Sequence, residues 1–187
     1  PENQGRGGGE AGMIAALTRH VITLCNGNRT RVYIAGISAG GAMAAIVGAA
    51  YPDLFVAVGV HSGVPRGDIR SLRAALAAMQ GKAGAMPTAR LPRQLPTIVF
   101  HGDQDKVVHP SNAGGFLHNL ERAGMGPLTL RSLPGKSDGG RDFSRRVYQD
   151  RLGTVLLEDW TIHGSGHSWS GGNPMASHTD PAGPDAS

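Results

Sequence analysis

The stretch Arg31-Val32-Tyr33-Ile34-Ala35-Gly36-Ile37-Ser38-Ala39-Gly40 constrains this chain more than any other. Residues 31–35 read as a short buried strand, and residues 39–50 as a small-residue helix ending before Tyr51-Pro52. Between them, Gly36-Ile37-Ser38-Ala39-Gly40 fits G-x-S-x-G in the strand–turn–helix setting that the motif requires. A chain that turns from strand to helix within one or two residues forces Ser38 into a strained conformation. On this reading Gly36 and Gly40 remove side chains that would clash at the corner. The Ser38 hydroxyl stands above the sheet edge, with the positive end of the helix beneath it. The backbone N–H of Ala39 is then one donor for an oxyanion. A plain Gly/Ser turn is the bland alternative; the flanking strand and helix favour a nucleophile.

The rest of the chain alternates in the same way. Met13, Ile14, Leu17, Val21 and Leu24 recur at three- and four-residue steps, which predicts a helix with one buried stripe, stopped by Asn26-Gly27-Asn28. Residues 55–60 read as a strand, 68–79 as an amphipathic helix capped by Asp68, and 81–96 as a loop. Residues 97–100 read as a buried strand, 111–122 as a helix and 128–133 as a strand. Residues 145–149 and 154–162 suit a hairpin turning at 150–153, and the tail from Gly171 reads as loop. Strands alternating with helices predict a single α/β domain with a parallel sheet covered on both faces.

Composition removes several classes. At 187 residues and 40% hydrophobic the chain can bury a core, and no run approaches a membrane span of roughly 20 apolar residues. One cysteine, Cys25, excludes an internal disulfide framework and a cysteine-built metal site. The net charge of +4 permits acidic partners. However, the basic residues are scattered and only 5% of residues are aromatic, which argues against nucleic-acid binding.

A serine nucleophile needs a base, and the base an orienting acid, in the chain order Ser, acid, His. Asp103 and Asp105 lie just beyond the strand at 97–100, where ligands sit in such sheets. His163 and His167 lie in a glycine-rich loop after the last strand. From the residues alone either aspartate and either histidine could serve. His20 and His118 read as surface residues and His178 as part of the tail, and no histidine spacing suggests a metal site.

Taken together, residues 31–43, 99–108 and 163–172 resemble the polyhydroxybutyrate depolymerase-like esterases, secreted α/β-hydrolases related to feruloyl and acetylxylan esterases. The resemblance implies Ser38 as nucleophile, Asp105 as acid and His167 as base, with Trp169 and the glycines after it lining the mouth of the site. It implies no cofactor, an extracellular setting, and an ester polymer or small ester as substrate. Short-chain polyhydroxyalkanoate comes first among these, with feruloyl or acetylxylan esters as the alternative. A non-catalytic hydrolase-fold binding protein and a serine peptidase are rivals from other classes. The family pattern begins with further strands and a loop giving a second oxyanion donor, and closes with a helix. On that pattern the chain is expected to be an internal fragment and a poor catalyst alone. It should leave the first strand with an open edge, and Met13, Leu17 and Val21 partly uncovered.

Overall fold

The computed structural model describes residues 5–67, 71–82 and 94–187. The elements follow in the order α1 (Gly9–Leu24), β1 (Tyr33–Ile37), α2 (Ala39–Ala50), β2 (Ala57–His61), α3 (Leu72–Met79), β3 (Thr97–Gly102), α4 (Asn112–Arg122), β4 (Thr129–Lys136), β5 (Asp142–Gln149), β6 (Val155–Ile162), β7 (Trp169–Ser170) and β8 (Thr179–Asp180). Six strands form one sheet in the order β1-β2-β3-β6-β5-β4, and β7 and β8 form a separate two-stranded ladder. β1, β2, β3 and β6 run parallel, as expected, whereas β5 and β4 add antiparallel strands at one side.

The apolar pattern explains the packing. Strand alternation sends Val58, Val60, Val99 and Leu157 to one face. There they meet Ala44 and Val47 of α2 and Phe116 and Leu120 of α4 in one core. Each fully buried side chain of this size contributes roughly 1.5–3 kcal/mol. The opposite face carries a row of rings: Trp169 stacks on His61, His61 on Phe100, Phe100 on Trp160, and Trp160 meets Phe143. The expected hairpin is present. Asp150 Oδ1 accepts from Leu152 N and Thr154 N, both at 2.9 Å, and Gly153 takes a left-handed φ of 81°.

Several expectations are corrected. In α1 the buried positions are Ala11 and Ala15, whereas Met13 and Leu17 are 66% and 63% exposed and Val21 and Leu24 also stand outside. The small alanines let α1 come close to α2, so the larger side chains of the presumed stripe turn away. The exposure of Met13, Leu17 and Val21 is as expected. β1 lies at the sheet edge, with β2 as its sheet partner among the described residues, and Tyr33 is exposed. The helix expected from Asp68 is seen as α3, whose cap is Ser71, its hydroxyl accepting from Ala74 N at 3.1 Å; Asp68 lies outside the described residues, as does most of the loop expected at 81–96. His118 is half-buried with Nε2 enclosed, rather than a surface residue. The tail is not all loop, because Thr179–Asp180 pairs with Trp169–Ser170.

Candidate active site

The turn at Ser38 has the strain that the motif demands. Ser38 sits at φ 57° and ψ −122°, between the last residue of β1 and the first of α2. A left-handed φ is costly for a serine and persists only where surrounding bonds impose it. Here Ser38 N–H donates to His61 O at 2.9 Å, and Ala42 N–H donates to Ser38 O at 3.0 Å. Ala39, as first residue of α2, presents an N–H that has no intrahelical acceptor. The glycine expectation holds for one position and fails for the other. A Cβ on Gly36 would collide with the carbonyl group of Gly40. A Cβ on Gly40 would meet nothing within 4 Å. The second crowded position is Gly41, whose Cβ would come within 2.9 Å of Gly36 O.

The candidate acids and bases come from loops at the ends of neighbouring strands. β3 and β6 pair in parallel up to Gly102 and Ile162, so the loops beyond them lie side by side. Gln104 N–H donates to Ser165 O at 2.9 Å and Asp103 N–H to Ile162 O at 3.1 Å, which fastens the two loops together. Two matched pairs result. His167 Nδ1 lies 2.8 Å from Asp105 Oδ2, and His163 Nδ1 lies 3.0 Å from Asp103 Oδ2. A carboxylate can only accept, so each Nδ1 carries the proton and each neutral ring keeps a lone pair at Nε2.

The two pairs differ in setting. The Asp105 side chain is fully buried and that of His167 is 17% exposed, against 32% and 44% for Asp103 and His163. Burial works to raise the Asp105 pKa. Hydrogen bonds from His101, His167 and the N–H groups of Val108 and Val107 outweigh that effect and hold the carboxyl well below the usual range. Asp105 is therefore a fixed anion against the His167 ring.

Two further histidines shape the site and had no role in the sequence reading. His101, in β3, places Nε2 at 2.9 Å from Val108 O and 3.4 Å from Asp105 Oδ2. His61, at the end of β2, accepts Ser170 N–H at Nε2 (2.9 Å), so its proton sits on Nδ1, 3.2 Å from Ser62 Oγ. Its ring lies between Phe100 and Trp169. Burial, then the nearby His101 and His167, push the His61 pKa down to about 4, with Asp105 opposing. His61 thus joins the Ser38 turn, through its carbonyl, to the segment that follows His167. Strand-end position was the available signal for both residues, since each falls at the sheet edge that carries the site. Trp169, half-buried, rests on the His61 ring two residues beyond His167. Among the described residues no group of three or more His, Cys, Asp or Glu could hold a metal, and no helix is long and apolar enough to cross a membrane.

Residues 1–124 match the family model for esterase PHB depolymerase. The chain belongs to that esterase family. It is 30% identical over 173 residues to poly(3-hydroxyalkanoate) depolymerase C of Paucimonas lemoignei, covering 87% of this chain and 41% of that protein. It is 31% identical over 179 residues to feruloyl esterase B of Thermothelomyces thermophilus, covering 86% of this chain and 58% of that protein. Among solved structures, the acetyl xylan esterase from Aspergillus awamori is similar with a TM-score of 0.59 and 19% identity, over 87% of this chain and 64% of that one. The fold is that of the α/β-hydrolases. The chain spans roughly half the length of the two named sequence relatives.

Proposed function

We propose that the protein this chain represents is a serine esterase that cleaves carboxylic esters through an acyl-enzyme at Ser38. The observation that carries the reading is the Asp105–His167 pair at 2.8 Å, its carboxylate buried, on loops at the same sheet end where Ser38 holds its strained turn. In this mechanism Ser38 Oγ attacks the ester carbonyl as His167 Nε2 takes its proton. The imidazolium formed is stabilised by the Asp105 anion, and the Ala39 N–H donates to the oxyanion. His167 returns the proton to the leaving alcohol, and water then releases the acid by the same path.

The substrate we favour is a short-chain polyhydroxyalkanoate, supported by the family match and by the depolymerase relative that aligns over most of the chain. We propose an extracellular setting as part of the same reading, supported by the depolymerase relative. Feruloyl or acetylxylan esters are the second reading, supported by the feruloyl esterase relative of comparable identity. Release of soluble hydroxy acid from a poly(3-hydroxybutyrate) film, compared with turnover of methyl ferulate by the same protein, separates the two. Ser38→Ala should lower either rate by on the order of 10⁶ with the fold intact. A variant retaining more than a few per cent of the wild-type rate would remove Ser38 from the mechanism.

A further inference from the structure

A second serine–histidine–aspartate array stands apart from Ser38. His163 Nε2 lies 2.8 Å from Ser144 Oγ, while His163 Nδ1 lies 3.0 Å from Asp103 Oδ2. Asp103 accepts only, so Nδ1 is the protonated nitrogen and Nε2 is free to receive the Ser144 proton. The acid is itself fixed, because Gly164 N–H donates to Asp103 Oδ1 at 2.8 Å. The backbone of His163 is anchored too, since its amide N–H donates to Asp142 O at 2.9 Å. Hydroxyl, base and orienting acid therefore have the separations that define an activated serine, on β5 and on the loops that follow β3 and β6. The array is open to small reagents: the His163 side chain is 44% exposed and Ser144 is half-buried. Arg141 braces the same loop, its Nη1 donating to Gly164 O at 3.2 Å while its Nη2 pairs with Asp180 Oδ1 at 2.9 Å.

We propose that Ser144 is a second acyl-accepting serine, activated by His163 and Asp103, that reacts with small activated esters independently of Ser38. In the step, the Ser144 Oγ–H proton passes to His163 Nε2 as Oγ bonds to the carbonyl carbon. The tetrahedral adduct then collapses, the carbon–oxygen bond to the leaving aryloxide breaks, and the imidazolium gives its proton to water. What separates this site from Ser38 is the backbone. Ser144 lies within regular β5, opposite Pro134 of β4 and Thr161 of β6, with neither a left-handed turn nor a helix start behind it. Each missing oxyanion donor costs roughly 10² to 10³ in rate. Ser144 is thus acylated slowly and about once per chain, whereas sustained turnover belongs to Ser38.

The test uses the Ser38→Ala protein treated with excess p-nitrophenyl acetate, followed by peptide mass spectrometry. One acetyl group should appear on Ser144. Adding His163→Gln should slow that labelling by at least about 100-fold, the contribution of a positioned base. Adding Asp103→Asn should slow it as well, and a folded circular-dichroism spectrum checks that each variant keeps its structure. An unmodified Ser144, or labelling indifferent to His163, overturns the proposal. Because Ser38 is absent throughout, the outcome is independent of whether Ser38 is the esterase nucleophile.

Discussion

Acidifying the protein from pH 7 to pH 4 should cost it about 3 kcal/mol of folding stability through His61 alone. The ring is 2% exposed and its pKa stands at about 4 rather than 6.5. A histidine with a lowered folded value is neutral in both states above pH 6.5, so it carries no penalty there. Between 6.5 and 4 the unfolded chain binds the proton that the folded chain refuses, and stability falls steadily. Below 4 both states are charged and the penalty is constant. The gap from 6.5 to about 4 is worth about 3 kcal/mol. With a urea dependence of about 2 kcal/mol per molar, the unfolding midpoint should drop by about 1.5 M. Asp105, Asp103 and Asp180, all held low, surrender their contribution only below about 3.8. Asp159, raised by burial against the pull of Arg146, acts in the opposite sense. Urea melts of wild type and His61→Gln at both pH values cancel these terms, and the variant's loss should be smaller by about 3 kcal/mol. Parallel pH profiles for the two proteins would refute the claim that a buried neutral His61 controls this range.

Three further outcomes are open to measurement. Asp105→Asn should lower ester turnover by on the order of 10⁴ by leaving His167 misoriented, whereas Asp103→Asn should cost far less; equal losses in kcat would reject the assignment. His167→Ala should abolish turnover and His163→Ala should not, read in the same assay. Gly36→Ala should destabilise by about 2 kcal/mol or more through its collision with Gly40, while Gly40→Ala should be neutral or gain up to about 1 kcal/mol as a better helix residue, both read from thermal melts.

The parts of the fold that could be read in advance are those where local rules decide. The helix Ala39–Ala50 and the Asp150 hairpin follow from small-residue composition and turn chemistry close in sequence. Strand limits slipped by a few residues because β1 extends to Ile37 and β3 to Gly102 through pairing with neighbours, which no single segment encodes. The α1 stripe failed for a related reason: periodicity marked an apolar face, but the close approach to α2 chose the alanines. Within the candidate site, the strained turn at Ser38 was legible from its motif, while residue type alone left two aspartates and two histidines equivalent. Beside the family resemblance, it is burial that separates Asp105–His167 from Asp103–His163. His61 and His101 carried only their strand-end position as a signal, because the contacts they make run between loops and strands distant in sequence.

The sheet order also sets a timetable for assembly. β1 and β2, which carry Ser38 and the carbonyl that fixes it, are joined by one helical crossover, with Tyr33 opposite Ala57. The pair Asp105–His167 spans 62 residues, and β4 and β5, which lie between its two strands in sequence, occupy the far side of the sheet. Closing the longer loop costs about 0.8 kcal/mol more than closing the 24 residues between Tyr33 and Ala57, before any contact repays it. Such distant pairings form late. On the mechanism proposed above, a chain emerging from the ribosome stays inert until His167 has cleared the exit tunnel and β6 has docked beside β3.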